Sequence, residues 1–337
     1  MDALGSSEEA HLRARAKGRP AARKRRRAEA LLALLYLFPA TLVLLTFHLL
    51  PIFYAFFISL HQWDIIPEGF VGFGNYLELA RDERFWRSLV TTVWYALLTV
   101  PLSLFLGLVV AWLLFQKLRA KGLYRTLYFL PYVTSVVAAA FVWGWIFNDN
   151  YGFANLVLTK LHLPALRWLL EPTGVFDLAF RGLGVKLPAW AGGPSLALVA
   201  VVVLSVWSSI GFNMILFLAG LGSIPKELLE AARLDGASER AVFRHVTWPL
   251  LSPTTFFLLI VSTIRTFQAF SQIYAMTGGA DGPPLGTTQT ITLYLYWNLN
   301  SQTRLGYGSA VAFALFAIIL ALTAVQFRLG KERVVFQ

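Results

Sequence analysis

The sequence has no cysteine and few charged residues. Cysteine is absent from all 337 residues, so neither a disulfide nor a thiolate zinc site is available. Only 14% of the residues are charged, against about 25% in an ordinary soluble domain. Hydrophobic residues make up 57% of the chain, and the mean hydropathy is +0.61. These values are typical of a polytopic membrane protein.

Signals of the common catalytic sites are missing as well. The sequence contains no GxxxxGK phosphate loop followed by Ser or Thr, so we expect the chain neither to bind ATP nor to hydrolyse it. Its five histidines are scattered, with no HExxH pair and no carboxylate pair at metal spacing. We therefore expect no catalytic residue, no metal and no bound cofactor. An intramembrane enzyme is a less favoured alternative.

Six apolar runs are long enough to cross roughly 30 Å of hydrocarbon at about 20 residues each. Each must be helical, because lipid leaves every backbone N–H and C=O to be satisfied within the segment. The predicted fold class is therefore all-α, a polytopic membrane helix bundle with six transmembrane helices. Four prolines in the first three runs predict kinks: Pro39, Pro51, Pro101 and Pro131. The approximate bounds of the runs are 31–60, 89–115, 123–147, 196–221, 250–270 and 305–327.

Acidic side chains are essentially absent from the second to the sixth run. A channel or an ion-gradient-driven secondary transporter usually carries intramembrane acidic residues, so that class is also less favoured. Arg265 lies inside the fifth run, and an intramembrane Arg usually faces the bundle interior or a water-filled cavity. We predict that it lines a substrate pathway near the outer face, with Asn213, Gln268 and Gln272. The alternatives are snorkelling or a subunit contact for Arg265, and hydrogen bonding between helices for the uncharged polar residues.

Basic residues are concentrated on one side of the predicted membrane. If the N-terminus is inside, the inner segments hold twenty Lys and Arg and the outer loops hold eight. Because positive charge favours the cytoplasmic side, we expect both termini and the loop at 222–249 inside the cell. Residues 1–30 form a basic tail that we expect to be disordered and not to bind nucleic acid, since no base-reading partners accompany it. The transmembrane domain then covers 31–330, and residues 331–337 are a cytoplasmic C-terminus.

The inner loop between the fourth and fifth runs predicts two short helices. Pro225 suits the first position of a helix that continues to Asp235. Gly236 suits a chain reversal that needs a positive φ. Ser238 can cap a second helix, which we expect Pro249 to end just before the fifth run. The alternative is an ordinary amphipathic loop.

The spacing within this loop carries a resemblance to a known family. Glu230-Ala231-Ala232 is followed by three residues and Gly236, then by nine residues, Val246 and Trp248-Pro249. This order resembles the EAA-x3-G-x9-I-x-LP coupling loop of ABC importer permeases, with Trp248 in place of the usual Leu. The resemblance implies that an ATPase subunit docks on this loop. The ATPase-coupling residues would be Glu230, Ala231, Ala232, Asp235 and Gly236.

Other segments resemble the sugar and glycerol-phosphate branch of these permeases, over nearly the whole chain after the basic tail. The stretch 175–190 looks like an insertion into that pattern, and it could form a short interfacial helix. The similar segments are Leu37-Phe38-Pro39 with Pro51 and Ser59, 71–76, Leu130-Pro131-Tyr132, Gly211-Phe212 with 218–221 and Ile224-Pro225, and 267–270 with 274–279.

The resemblance implies a multi-pass permease of the cell inner membrane. Its partners would be a second homologous permease subunit, two ATP-binding subunits that use the ATP, and an extracytoplasmic solute-binding protein. A sugar or oligosaccharide is the expected substrate, and glycerol phosphate or another polyol is the alternative. The insertion at 175–190 leaves open how the outer surface meets the binding protein.

Overall fold

A computed structural model describes residue 29 and residues 31–116, 119–181 and 192–330. The expectations for the tail before residue 29 and for the C-terminus after residue 330 lie outside these residues, as does the part of the 175–190 insertion from 182 onward. The chain divides into two compact units between Ile58 and Ser59.

Long apolar helices dominate the fold, as the sequence predicts. Five described helices are long and apolar enough to cross a membrane, and a bent pair of helices makes a sixth span if both arms belong to one crossing. The five are α1 (Leu31–Ser59), α3 (Glu83–Phe115), α8 (Leu196–Gly222), α10 (Glu239–Phe267) and α13 (Leu305–Gly330), and the bent pair is α4 (Lys121–Val133) with α5 (Val136–Ile146).

Shorter elements connect these helices. Two short antiparallel strands form a ribbon in which Gln62 pairs with Gly69, a small departure from an all-helical fold. The insertion begins with a helix, as expected, which ends at Arg181. The connecting elements are β1 (His61–Trp63), β2 (Pro67–Phe70), α2 (Gly74–Arg81), α6 (Phe153–Lys160), α7 (Val175–Arg181), α9 (Lys226–Leu234), α11 (Ser271–Thr277) and α12 (Ile291–Asn300).

Two prolines sit inside long helices just after a π-helical turn. In α1 the turn covers Leu45–Leu49 and Pro51 follows, and in α10 the turn covers Phe243–Thr247 and Pro249 follows. A proline ring clashes with the carbonyl four residues earlier. That carbonyl lies within the wider π turn in both helices, which relieves the clash. The expectation that Pro249 ends a helix is therefore wrong, because α10 runs through it to Phe267.

The bent pair α4 and α5 breaks three residues after Pro131. Its two arms are inclined by 94° to one another. Thr134 ends the first arm, with its N–H and its hydroxyl both donating to the carbonyl of Leu130. Ser135 begins the second arm, and its Oγ accepts from the N–H of Ala138 at 3.5 Å. Side-chain hydroxyls thus satisfy part of the backbone that the break exposes.

Helix α8 is the centre of the second unit. It packs along α3 and also contacts α4, α5, α10 and α11. Glycines bring the helix backbones close together: a Cβ at Gly211 would collide with the backbone of Tyr128 and Phe129 on α4, and one at Gly107 would collide with Asn213 on α8. Small residues at such crossings allow the close packing that holds membrane helices together.

The close approach at Gly211 yields a stability prediction. Alanine has a higher helix propensity than glycine by about 1 kcal/mol, so a harmless Gly→Ala change within a helix should stabilise the protein. Gly211→Ala should instead destabilise it by about 1–3 kcal/mol, because α4 must move away from α8. Gly144→Ala in α5 is the matched control, since its new Cβ meets no atom within 4 Å. Thermal unfolding in detergent measures both variants, and a Gly211→Ala protein as stable as Gly144→Ala would contradict the packing.

Candidate functional site

A polar cavity lies among the apolar helices of the second unit. It has a volume of about 260 Å³. Residues of α3, α8 and α10, the break between α4 and α5, and the first turn of α11 form its walls. The lining residues are Tyr95, Thr99, Ser103, Pro131, Tyr132, Thr134, Val136, Ser205, Ser208, Ser209, Phe212, Asn213, Ser262, Arg265, Thr266 and Gln272.

One face of α8 supplies the polar wall. Ser205, Ser208, Ser209 and Asn213 follow one another at helical spacing, which places them on the same side of the helix. The serine hydroxyls of Ser208 and Ser209 donate to the carbonyl of Ser205, at 3.0 and 2.7 Å. This polar stripe was present in the sequence, and the sequence analysis singled out only Asn213 from it.

Tyr95 ties three of the walls together. Its hydroxyl donates to Oγ of Ser205 at 2.7 Å and accepts from Nε2 of Gln272 at 3.1 Å. The side chain is 1% exposed, so both hydrogen bonds are shielded from water. Tyr95 lies on α3, Ser205 on α8 and Gln272 on α11. Tyr95 had no signal in the sequence, because nothing there distinguishes a tyrosine with a buried partner from one at the membrane interface.

Arg265 reaches the cavity from α10, near the end of the helix. Its Nη1 donates weakly to the hydroxyl of Tyr132, at 3.4 Å. Its Cζ lies 5.3 Å from the ring centroids of both Tyr132 and Phe212, within the range of cation–π attraction. Those two rings stack on one another with centroids 5.1 Å apart. The guanidinium is therefore oriented by aromatic rings, and no Asp or Glu is among the described residues that line the cavity.

Three of the four predicted pathway residues meet in this cavity. Arg265, Gln272 and Asn213 line it, and Gln268 does not, because it lies exposed just after the end of α10. Asn213 is 1% exposed, and its Nδ2 has no hydrogen-bond partner among the described residues. A buried donor without a partner is costly unless another group supplies the acceptor.

The loop between α8 and α10 forms a compact pair of helical turns. Pro225 caps α9 rather than occupying its first position, a shift of one residue from the sequence prediction. Beyond Asp235 the chain reverses at Gly236, whose φ is +82°, as expected. The N–H of Ala237 donates to the carbonyl of Ala232 at 3.1 Å, which closes the end of the helix.

The second turn of this loop starts with a side-chain cap. Oγ of Ser238 accepts from the N–H of Ala241 at 3.3 Å, as the sequence predicts. Arg233 of α9 makes a two-point ion pair with Glu239 of α10, at 2.8 and 3.2 Å. This pair links the two helices across the reversal.

The predicted coupling residues lie on α9 and in the chain reversal that follows it. Leu229 and Ala232 are half-buried, and Glu230, Ala231, Asp235 and Gly236 are exposed. Behind the helix lies a groove of about 980 Å³, and Glu230 and Leu229 both line it. Leu228 and Leu234 are 45% and 89% exposed, so this helix has apolar surface that the described part of the chain leaves uncovered. A patch of this kind suits contact with another protein.

Asp82 organises a polar cluster that the sequence analysis missed. Its Oδ2 accepts from the hydroxyls of Tyr294 and Tyr307, and its Oδ1 accepts from the N–H of Arg84 at 2.8 Å. The cluster joins the start of α3 to α12 and α13. Burial alone would raise the pKa of Asp82, but the two tyrosine hydroxyls and the backbone N–H groups of Arg84 and Phe85 outweigh it and lower that pKa. Burial and the adjacent carboxylate raise the pKa of Tyr294 to about 12.

These features define a class of protein. Long apolar helices surround a polar cavity, and a two-helix loop with an uncovered surface precedes the helix that carries Arg265. That combination is typical of a transmembrane permease that moves a polar solute and meets another protein through the loop.

Comparison with known proteins gives the family. Residues 70–333 match the family described as "Binding-protein-dependent transport system inner membrane component". The trehalose/maltose transport system permease protein MalF of Thermococcus litoralis is 35% identical, over 90% of this chain and 95% of its own. The sn-glycerol-3-phosphate transport system permease protein UgpA of Agrobacterium fabrum is 34% identical, over 89% and 95%.

Solved structures share the fold. A chain of a bacterial ABC transporter that imports the acidic polysaccharide alginate has a TM-score of 0.71 at 20% identity, with 90% of this chain and 96% of that chain covered. A second structure of an alginate transporter, in complex with an alginate pentasaccharide-bound periplasmic protein, has a TM-score of 0.68.

The chain belongs to the family of binding-protein-dependent inner membrane components, which are permease subunits of ABC importers. It is therefore a multi-pass protein of the inner membrane, and the resemblance found in the sequence is confirmed.

The Asp82 cluster predicts a pH-dependent stability difference. Asp82→Asn should destabilise the protein by about 1 kcal/mol at neutral pH, because a charged acceptor of three hydrogen bonds is lost in a partly exposed site. A lowered pKa contributes stability above the ordinary carboxyl pKa, and that stability is lost as the pH falls through the lowered value. The gap in melting temperature between the wild type and Asp82→Asn should thus shrink on acidification.

Glu83→Gln is the matched control for this measurement. Glu83 is the next residue and makes only an exposed ion pair with Arg87 in the described part of the chain. An exposed pair contributes about 0–1 kcal/mol, so the control should change the melting temperature little. Equal effects of the two substitutions, or a gap for Asp82→Asn that does not depend on pH, would contradict the proposed role of the cluster.

Proposed function

We propose that this permease forms half of the translocation pathway for a sugar or oligosaccharide delivered by an extracytoplasmic binding protein. The observation that carries the proposal is the polar cavity within the apolar bundle. Its hydroxyl, amide and guanidinium groups can replace the water around a polyhydroxy solute, and its stacked Tyr132 and Phe212 offer an apolar surface. Glycerol phosphate or another polyol is the alternative substrate within the same machinery.

The orientation that we propose has both termini in the cytoplasm. The excess of Lys and Arg in the tail, in the α3–α4 loop and in the α8–α10 loop supports it. The α8–α10 loop then faces the cytoplasm, and the Asp82 cluster lies toward the outside.

The α8–α10 loop is the proposed docking site for ATP-binding subunits. Its exposed side chains include Glu230, Ala231, Asp235 and the apolar Leu234, and Ala232 lies half-buried behind them. The ion pair between Arg233 and Glu239 links the two arms of the loop in addition to the short chain reversal at Gly236. We propose that a displacement of α9 is passed to α10 through these links. Helix α10 carries Arg265 at its opposite end. The ATP is used by two partner subunits, and this chain supplies no ATPase site of its own.

A second homologous permease subunit completes the pathway in this proposal. Arg265 remains exposed at the cavity, although a guanidinium inside a membrane requires water, a polar partner or a ligand. A second subunit facing the same space would enclose it. The extracytoplasmic binding protein then delivers the solute to the outer side of both subunits, as the alginate-bound periplasmic protein stands in complex with the alginate transporter.

An ion-gradient-driven secondary transporter is the candidate from another class, and one observation favours it. The break between α4 and α5 resembles the discontinuous helices of such transporters. The described residues that line the cavity include no Asp or Glu to carry a proton or bind a cation. An ABC importer therefore explains more features of the cavity than an ion-gradient-driven transporter does.

Uptake coupled to ATP hydrolysis tests the proposal in the assembled importer. Glu230→Ala and Gly236→Val should leave the permease folded and should uncouple transport from hydrolysis. Valine at a φ of +82° is strained by roughly 1–2 kcal/mol, which distorts the reversal after α9. A ligand screen of the binding protein identifies the solute for the uptake assay in proteoliposomes.

Matched variants separate docking from general damage. Glu227→Ala removes an exposed acid from the same helix and should leave uptake unchanged. Gly236→Asn should retain coupling better than Gly236→Val, since asparagine tolerates a positive φ. Normal ATP-driven uptake by both Glu230→Ala and Gly236→Val would contradict the docking proposal.

A further inference from the structure

We infer that the polar cavity is selective for a polyhydroxy ligand that carries an anionic group: a phosphate, a sulfonate or a carboxylate. The inference rests on the proposed function, and it narrows the substrate class of the same site. Two features of the cavity favour negative charge, the guanidinium of Arg265 and the start of helix α5, and the amide of Asn213 adds a buried donor for a ligand oxygen.

Arg265 is a cation without a counter-charge in the described part of the cavity. The described residues that line the cavity include no carboxylate, and the described partners of the guanidinium are two aromatic rings and one hydroxyl at 3.4 Å. Among the described residues, only one of its five N–H donors has a hydrogen-bond acceptor, and that bond is long. The rings of Tyr132 and Phe212 lie within cation–π range of the guanidinium and hold it at the cavity, and its planar fork of donors suits two-point binding of an oxyanion.

A neutral sugar would make poor use of this arrangement. Sugar hydroxyls can accept from a guanidinium, but they leave its charge uncompensated in a membrane, where unpaired charge is costly. An anionic group both accepts the hydrogen bonds and neutralises the charge. The absence of acidic residues from the described lining also removes the main source of repulsion toward such a ligand.

Helix α5 begins at the cavity wall. Thr134 and Val136, on either side of its capping Ser135, both line the cavity. The helix is 11 residues long, and the N–H groups of its first turn lack acceptors within the helix. Its N-terminus therefore carries a partial positive charge that favours an anion. The 94° break between α4 and α5 is what brings this helix end to the cavity.

Asn213 supplies an independent observation on the α8 side of the cavity. Its side chain is 1% exposed and lines the cavity, and its Nδ2 is a buried donor without a described partner. A ligand oxygen is the acceptor that would satisfy it. The neighbouring hydroxyls of Ser208 and Ser209 can serve the polyol part of the ligand. The volume of about 260 Å³ suits a phosphorylated polyol or a single sugar unit.

The test compares matched ligands on the assembled importer in lipid nanodiscs. The probe pairs are glycerol 3-phosphate against glycerol, glucuronate against glucose, and 6-sulfo-6-deoxyglucose against glucose. Equilibrium dialysis gives the Kd of each. We expect at least one anion to bind tenfold or more tightly than its neutral partner. We expect Arg265→Gln to remove that preference and Arg265→Lys to retain part of it.

Arg328→Gln is the control for loss of one positive charge. Arg328 lies exposed in the last turn of α13 and does not line the cavity, so the anion preference should persist. A melting temperature for Arg265→Gln equal to that of the wild type shows that the variant is folded. Failure of every anion to bind more tightly than its neutral partner would overturn the inference, as would a preference that Arg265→Gln leaves intact.

Uptake measured in the same preparation tests the anion selectivity separately from the proposed importer function. Arg265→Gln could take up a neutral sugar at the wild-type rate, in an ATP-driven and binding-protein-dependent way. That result would reject anion selectivity and would still agree with the proposed importer function. If ATP hydrolysis drove no uptake in the wild-type complex, the proposed function itself would be rejected.

Discussion

The need to satisfy backbone hydrogen bonds away from water governs this structure. In hydrocarbon every N–H and C=O needs a partner within the protein, so the spans are helical and a helix may break only where it faces a polar space. The break between α4 and α5 obeys this constraint: Thr134 and Ser135 satisfy part of the backbone, and the break lines the polar cavity. At Pro51 and Pro249 the helices remain continuous, because a π turn precedes each proline. The need for backbone hydrogen-bond partners thus places the break between α4 and α5 at the same polar space that could hold a solute.

Helix α10 runs from the α8–α10 loop to the cavity. This helix begins at Glu239, which is tied to α9 by Arg233, and ends beside Arg265 in the cavity wall. The π turn Phe243–Thr247 lies between these ends, next to Trp112 of α3, whose ring is 4.8 Å from that of Phe243. One continuous helix thereby joins the proposed site of ATPase docking to the proposed site of solute binding. A rigid element of this kind can carry a conformational change between two distant sites.

The sequence predicted the fold well and the site in part, for physical reasons. An apolar run that is long enough to cross the bilayer must be helical, so the long spans were predicted correctly. Their ends differ from the prediction by only a few residues, except that α3 and α10 begin earlier than predicted. Arg265, Gln272 and Asn213 were predicted because polar side chains are conspicuous in apolar runs. Tyr95 and Asp82 were missed, because their importance depends on partners 110 and more than 200 residues away. The continuation of α10 through Pro249 was missed because a π turn has no simple sequence signal.

If the polar cavity is the solute pathway, its accessibility should change with the ATP cycle. Because the chain has no cysteine, one introduced thiol reports on one position. Ser209→Cys lies in the cavity wall, and Leu97→Cys on α3 is 58% exposed outside it. In the assembled importer, a charged thiol reagent added from the outside should label Ser209→Cys at a rate that changes between the nucleotide-free and ATP-bound states and falls when solute is present. Leu97→Cys should show no such dependence. Labelling of Ser209→Cys that is absent in every state, or independent of nucleotide and solute, would contradict the account.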